Sequence, residues 1–227
     1  MPLPQKKECE KPKTARERVY EEVKEWIVDG TLKPGERIFD QEIAGYFSVS
    51  RTPVREALQL LSDQGLINVY PGRGTCVSEI DIEEINSIYR ISADLHSLSL
   101  ELAYKKITGK TIQELRQLNE DFYEAEKHGH YAKAGEWDRQ FHDVFLRLAA
   151  NRYLTEFTNT LGTHIRRVQM MNDPYYNLEG KKSDSYEQHL KIINALEQKD
   201  MEAAKEMMRQ NWLHTIEIAK TKNKDRQ

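Results

Sequence analysis

The chain has 227 residues and a formal net charge of −3, with 31% charged and 38% hydrophobic residues. This length allows one large domain or two ordinary ones, and the composition is that of a globular protein. No apolar run approaches the roughly 18 residues of a membrane helix, so a membrane protein is not expected. Basic and acidic residues are equal in number over residues 1–78, so net charge gives no support for nucleic-acid binding.

The N-terminal stretch and the cysteines indicate a cytoplasmic protein. The segment "MPLPQKKECEKPKT" lacks the apolar core of a signal peptide, and residues 1–13 are expected to form a mobile tail. Cys9 and Cys76 lie far apart and outside any C-x-x-C spacing, which favours a reducing compartment without disulfides.

A shift in composition predicts two domains. Prolines and glycines concentrate before residue 78, whereas long amphipathic stretches with few helix breakers follow residue 80. We therefore expect one domain over residues 14–78 and a second over residues 79–227.

The first domain is expected to contain three helices and a β-hairpin. Residues 14–29 have apolar side chains at helical spacing, and "DQEIAGYF" reads as a short helix with Asp40 as a candidate N-cap. A third helix is expected to begin around Ser50–Pro53, and "LINVY" and "GTCVSEI" read as two short strands. This combination predicts a winged helix-turn-helix.

The second domain is expected to be an all-α antiparallel helical bundle, which makes the whole chain mainly α. Asp81 and Thr111 resemble the starts of capped helices. Helices are expected near residues 82–105, 111–128, 131–150, 152–171, 184–198 and 200–220.

Arginines at the start of the third helix point to DNA. Arg51 and Arg55 share a face by their i,i+4 spacing, and the planar guanidinium can bind guanine O6 and N7 together. Thr52 suits a phosphate contact, and Arg73 between two glycines could enter a minor groove. The alternative is a small helical domain with solvated arginines. The candidate DNA-binding residues are Gln41, Ser50, Arg51, Thr52, Arg55, Arg73 and Gly74.

Three stretches in this region resemble the GntR family of bacterial transcription regulators: "LKPGERI", "SRTPVREALQLLSDQGLI" and "PGRGTCV". The resemblance covers roughly residues 14–78. It implies a winged helix-turn-helix that acts as a homodimer on double-stranded operator DNA with inverted half-sites.

The helical domain carries nitrogen and oxygen donors on three separate helices. Asp138 and His142 are one turn apart in "WDRQFHDVFL", His189 lies beside apolar residues, and Asn211 and His214 lie on the last helix. Such mixed ligands suit zinc, nickel or manganese if the fold brings them together. The alternative is a set of ordinary surface or core histidines.

The stretches "WDRQFHDVFLRLAANRYL" and "EQHLKIINALEQKDMEAAKEMM" resemble the FCD class of GntR effector domains, over roughly residues 82–220. The resemblance implies a metal on an aspartate and three histidines, with a small organic acid beside it. Asp138, His142 and His189 match, but Asn211 stands where the class usually has histidine. Either Asn211 or His214 would complete the site; otherwise it is weakened or metal-free.

The first helix of this domain also departs from the class, because Ser92 and His96 stand where it often has arginine and glutamate. Arg166 and Arg167 are the candidate anchors for an anionic ligand, although a solvated basic patch would give the same pattern. Tyr153 is a further candidate lining residue. The candidate effector-binding residues are Arg166, Arg167, His96, Ser92 and Tyr89.

Together these features predict a cytoplasmic ligand-responsive transcription regulator, expected to be a repressor, that senses a small carboxylate. One alternative is a metal-dependent hydrolase built on Asp138, His142 and His189, although no H-E-x-x-H, nucleophile elbow or phosphate loop is found. A second alternative is a dimeric scaffold whose helices only pair.

Overall fold

The computed structural model describes residues 13–70, 72, 74–170 and 184–224, and the chain divides into two compact units after Glu79. The N-terminal unit contains three helices and three short strands. They are α1 (Ala15–Val28), β1 (Arg37–Ile38), α2 (Asp40–Phe47), α3 (Arg51–Asp63), β2 (Ile67–Tyr70) and β3 (Gly74–Val77).

The strands form an antiparallel sheet in the order β1-β3-β2, so β3 lies in the middle. Ile67 pairs with Val77 and Tyr70 with Gly74, which fixes the register of the hairpin. Gly74 has a φ of +105°, a left-handed conformation that glycine adopts without strain. The sequence predicted the hairpin but not β1, because two residues are too short to carry a strand periodicity.

The helices of this unit pack through one apolar face each. Val54, Ala57, Leu58 and Leu61 recur at helical spacing along α3 and are all buried. The helix buries this face in a core shared with α1 and the sheet. Its opposite face is therefore left to solvent.

Two helix starts differ from the sequence prediction. Asp40 is the first residue of α2 and Phe39 is its N-cap, so the carboxylate does not cap the helix. Thr111, which was predicted to begin a helix, lies inside its helix. The N-cap is Thr108, and the hydroxyls of Thr108 and Thr111 form a capping box.

The C-terminal unit is helical throughout the part of it that the structure describes, and the predicted fold class is confirmed. Its core joins apolar side chains from five helices, among them Leu100, Leu115, Phe141, Ile192 and Met208. No helix in the described ranges is both long and apolar enough to cross a bilayer. The helices are α4 (Ile82–Ala103), α5 (Gly109–Lys127), α6 (Tyr131–Ala149), α7 (Arg152–Met170), α8 (Ser185–Glu197) and α9 (Met201–Lys224).

Candidate DNA-reading surface and metal centre

The N-terminal end of α3 presents its polar side chains to solvent. The side chains of Arg51 and Arg55 are 52% and 63% exposed, and Ser50 and Thr52 are exposed beside them. Ser50 is the N-cap of α3, but its side chain makes no capping hydrogen bond. The amides of the first turn and the Ser50 hydroxyl are therefore available to an anion such as a DNA phosphate.

Both arginines bind one carboxylate, that of Asp40 at the start of α2. Arg51 donates through Nη2 to Oδ1 at 2.8 Å and to Oδ2 at 2.9 Å, and Arg55 donates through Nε to Oδ2 at 2.7 Å. Hydrogen bonds from Arg55 and Arg51 lower the pKa of Asp40, which keeps it ionised. The sequence pattern predicted Asp40 only as a helix cap, because partners 11 and 15 residues apart leave no local pattern.

The other candidate DNA-binding residues lie in α2 and the wing. Gln41 is exposed on the first turn of α2. Gly74 begins β3 and is exposed, whereas Arg73 lies outside the described residues. Gln41 and Gly74 are therefore both accessible to a DNA duplex.

Three of the candidate metal ligands converge inside the helical unit. Asp138 and His142 lie one turn apart on α6, and His189 reaches them from α8. Their ligand atoms all lie within 4.8 Å of one another. Both histidines are buried, whereas the side chain of Asp138 is 33% exposed. A cation there would be shielded by the bundle and reached from the side of Asp138.

The orientation of His189 is fixed by hydrogen bonds that sequence analysis did not identify. Asn119 on α5 donates through Nδ2 to the backbone carbonyl of Tyr186 at 3.1 Å, so its Oδ1 is the atom that faces Nδ1 of His189 at 2.9 Å. His189 must then carry its proton on Nδ1 and its lone pair on Nε2. Nε2 lies 3.4 Å from Oδ1 of Asp138. The signal available in the sequence was the position of Asn119 between Leu115 and Phe122 on the apolar face of α5.

Burial sets the protonation of the cluster. Desolvation lowers the pKa of His142 to about 3, against an opposing interaction with Asn211, and it lowers the pKa of His189 well below its ordinary value. Desolvation and the nearby charge of Glu126 raise the pKa of Asp138 to about 7. The two imidazoles are therefore neutral, which is the form that binds metals.

These residues fit a divalent metal ion. Nδ1 of His142 and Nε2 of His189 are buried and make no hydrogen bond to any described residue. Leaving buried polar atoms unpaired is costly, and a cation would satisfy them. Two imidazoles and a carboxylate form a ligand set of the kind found in zinc sites.

The two candidates for the fourth ligand position, Asn211 and His214, lie in different surroundings. Asn211 is buried on α9, interacts with His142, and donates through Nδ2 to Oε1 of Gln188 at 2.8 Å. This bond engages the amide nitrogen of Asn211 and leaves its amide oxygen for His142 or for a cation. His214 does not join the three converging donors, because its Nε2 contacts Oδ2 of Asp184 at 3.1 Å.

The candidate effector residues of α4 form an aromatic and polar cluster beside the metal ligands. Tyr89, Ser92 and His96 are all buried. His96 stacks on Trp212 with ring centroids 4.4 Å apart and meets the edge of His142 at 5.2 Å. The ring of His96, one of the two α4 residues that differ from those usual in the FCD class, therefore contacts a metal ligand.

The two adjacent arginines of α7 are placed differently, as their 100° separation on a helix requires. Arg167 is only 2% exposed, whereas Arg166 is half-buried. The expectation that Tyr153 lines the interior is wrong, because its side chain is 61% exposed. It lies in the first turn of α7, where the helix turns that face to solvent.

Comparison with known proteins identifies both units. Residues 15–77 match the bacterial regulatory proteins of the gntR family, and residues 87–213 match the FCD domain. An uncharacterized HTH-type transcriptional regulator, YdhC of Bacillus subtilis, is 28% identical over 93% of each chain. The HTH-type transcriptional repressor RspR of Escherichia coli is 26% identical over 93% of this chain and 90% of its own.

A solved structure, that of McbR/YncC from E. coli, superposes with a TM-score of 0.75 at 23% identity, covering 93% of this chain and all of the other. It supports the fold. The matched families and relatives are transcription regulators and not enzymes, which removes the hydrolase alternative. The chain therefore belongs to the GntR family of DNA-binding transcriptional regulators, with an FCD effector-binding domain.

Proposed function

We propose that this regulator is a cytoplasmic, homodimeric repressor that binds a palindromic operator and releases it when a small carboxylate binds the helical domain. Residues 14–78 would bind DNA, and residues 79–227 would bind the effector and dimerise. The observation that carries the proposal is the pair of exposed arginines on the open N-terminal end of α3.

The DNA-binding step follows from the chemistry of that surface. Arg51 and Arg55 reach into the major groove, where a guanidinium distinguishes guanine from the other bases. Ser50, Thr52 and Gln41 lie around them and hold phosphate or base edges. Arg73 and Gly74 of the wing contact the adjacent minor groove.

The test is sequence-selective DNA binding by a double variant. Wild-type protein is used to enrich duplexes from a random pool, and affinities are then measured for the enriched duplex and its scrambled counterpart. The double variant Arg51→Ala/Arg55→Ala should lose the preference between them. The matched control Arg16→Ala/Arg18→Ala removes two exposed charges from α1 and should retain it. Retained preference in the first variant contradicts the proposal.

Dimerisation is supported by exposed apolar side chains on two neighbouring helices. Ile91, Leu98 and Leu102 recur at helical spacing on α4 and are 51%, 42% and 42% exposed. Phe157 on α7, which packs against α4, is 62% exposed. Apolar surface of this kind is costly in water and marks a contact face, and a two-fold axis would bury it against its own copy.

The dimer proposal is tested by native mass spectrometry and light scattering. Leu98→Asp places a charge at the centre of this face and should shift the protein toward monomer. Lys105→Asp, which changes an exposed residue beyond the end of α4, is the control. A dimer that survives Leu98→Asp unchanged would place the interface elsewhere.

Effector binding is supported by the buried polar side chains of Tyr89, Ser92 and His96, which lie beside the metal ligands. Asp138, His142, His189 and the amide oxygen of Asn211 would hold the cation, which would supply positive charge for a ligand carboxylate. Manganese, zinc and nickel are the candidates, and the oxygen of Asn211 favours manganese. Arg166 and Arg167 would anchor the carboxylate of the ligand, and the effector-binding residues Tyr89, Ser92 and His96 would surround its organic part.

Release of the operator on ligand binding would follow from half-sites at fixed spacing, because a small change in the relative placement of the two DNA-binding units of a dimer weakens its operator contacts. Metal analysis and native mass spectra across a panel of small organic acids test the effector, and each binding acid is then added to the operator complex. His189→Ala should retain operator binding and lose metal and ligand response. Stronger operator binding with ligand would reverse the sign of regulation.

A further inference from the structure

We propose that Asp40 is a specificity-determining residue that aims Arg55 at a guanine and restrains Arg51 from indiscriminate phosphate binding. This inference rests on the proposed DNA-binding function and deepens it. It starts from the three hydrogen bonds that join the carboxylate of Asp40 to Arg51 and Arg55.

Asp40 binds the two arginines through different edges of their guanidinium groups. Arg55 uses Nε, which leaves both of its Nη groups free, and these form the edge that binds guanine O6 and N7 together. Asp40 therefore fixes the guanidinium plane without occupying the edge that reads the base. A flexible arginine would lose side-chain entropy on binding that this hydrogen bond has already removed.

Asp40 binds Arg51 through the Nη edge, which is the edge of the guanidinium that would contact a base. Its Nη2 donates to both oxygens of Asp40, so one of the two groups needed for a bidentate base contact is engaged in the free protein. A contact with DNA has to replace this charge-assisted pair. A phosphate alone would give Arg51 an interaction similar to the one it loses with Asp40, whereas the operator would add a base contact. The pairing with Asp40 therefore lowers affinity for non-cognate DNA more than affinity for the operator.

The carboxylate also lowers the attraction of this face for any duplex. Asp40 is ionised between two guanidinium groups and offsets part of their charge. Removing it would expose nearly the full positive charge of the pair to phosphates, which raises affinity for all sequences and steepens the dependence on salt.

The test compares Asp40→Asn with Asp63→Asn by fluorescence anisotropy, on the duplex enriched by the wild type and on its scrambled counterpart. Both variants remove one negative charge from the N-terminal unit. Asp63 is exposed at the C-terminal end of α3 and accepts only from Gln59 among the contacts that the structure gives it, at 2.8 Å. It is therefore a control for charge without contact to either arginine.

For Asp40→Asn we expect the ratio of enriched to scrambled affinity to fall about tenfold, the scale of one bidentate base contact. The scrambled duplex should bind more tightly, with a salt slope steeper by up to about 0.9, the value of one further neutralised phosphate. Asp63→Asn should keep the ratio within about twofold, the uncertainty of such measurements. Asp40→Glu, which retains the carboxylate, should keep most of the ratio.

An unchanged ratio in Asp40→Asn, or an equal fall in Asp63→Asn, overturns the inference while leaving the DNA-binding proposal intact. A wild type that enriches no sequence overturns both. A second measurement needs no variant. The Nε–H of Arg55 in wild-type protein should remain protected from solvent exchange, by side-chain ¹⁵N NMR, in the free protein and on the enriched duplex. Free exchange in the complex would show that Asp40 has released Arg55, against the proposal.

Discussion

Asn119 accepts a hydrogen bond from Nδ1 of His189 at 2.9 Å, and this contact leaves Nε2 as the only nitrogen of that ring able to bind a metal. The amide of Asn119 is itself oriented by the carbonyl of Tyr186, to which it donates at 3.1 Å. Three groups on two helices thus fix one lone pair in the direction of Asp138. Such supporting bonds decide how well a metal site is organised before the ion arrives.

We therefore expect Asn119→Ala to lower metal affinity about 10- to 100-fold, the usual effect of losing a partner of a metal-binding histidine. The measurement is competition for manganese or zinc against a chromophoric chelator. Gln117→Ala is the matched control, since it removes an exposed amide from the same helix that contacts only Asp121 among the bonds the structure gives it. Operator binding without ligand should be the same in both variants. Equal metal affinities would mean that the hydrogen bond does not organise the site.

Metal binding should depend on pH through Asp138. Its raised pKa of about 7 means that the carboxyl is largely protonated below neutrality, whereas a metal binds the ionised form. Affinity is therefore lost as pH falls through about 7 and levels off above it. His142 and His189 are already neutral over this range, because burial lowers the pKa of each.

The proton count can be measured directly. Isothermal titration with metal in buffers of different ionisation enthalpy should show about one proton released at pH 6 and almost none at pH 8. The same count at both values would assign the proton to another group. The comparison uses one protein and one metal, so folding differences between variants do not enter.

The identity of the fourth ligand should set which metal is preferred. Asn211 offers an amide oxygen, held in position by its bond to Gln188, where an imidazole would be a stronger ligand for zinc or nickel. Asn211→His should therefore raise zinc affinity more than manganese affinity. His214→Ala should change neither, since His214 contacts Asp184 outside the three-donor group. A loss of metal in His214→Ala would restore that residue as a ligand.

The sequence predicted these sites unevenly, for a physical reason. Asp138 and His142, or Arg51 and Arg55, are four residues apart, and helical geometry alone places each pair on one face. Both helices were also predictable, because their apolar faces have a regular period: the buried residues of α3 are an example. Local spacing is information that a sequence contains explicitly.

Contacts between helices are not of this kind. Asp40 at the start of α2 meets Arg51 at the start of α3, and Asn119 meets His189 from 70 residues away. Neither pair follows from periodicity, since each depends on how two helices rotate about their axes when their apolar faces pack. That His214 lies outside the three-donor group also needed the structure, because Asn211 and His214 are both on α9 and their spacing does not show which one faces the cluster.

The same distinction between spacing and packing can be tested in the core of the DNA-binding unit. Leu60 and Leu61 are neighbours on α3, but Leu61 is fully buried and Leu60 is 39% exposed. Leu61→Ala should lower the free energy of unfolding by about 2–5 kcal/mol, because it leaves a cavity among tightly packed side chains. Leu60→Ala makes the same chemical change and should cost much less, within about 0.5–1 kcal/mol.

Hydrogen exchange followed by mass spectrometry can localise this loss to residues 14–78, which matters because the chain has two units that need not unfold together. Amides of α1 and α3 should exchange faster in Leu61→Ala, since both helices pack in the core that contains Leu61. Amides of α5 and α6 should be unaffected. Comparable destabilisation by both substitutions would mean that another surface covers the outward face of α3 in solution. Arg51 and Arg55 would then be less accessible than their exposure indicates.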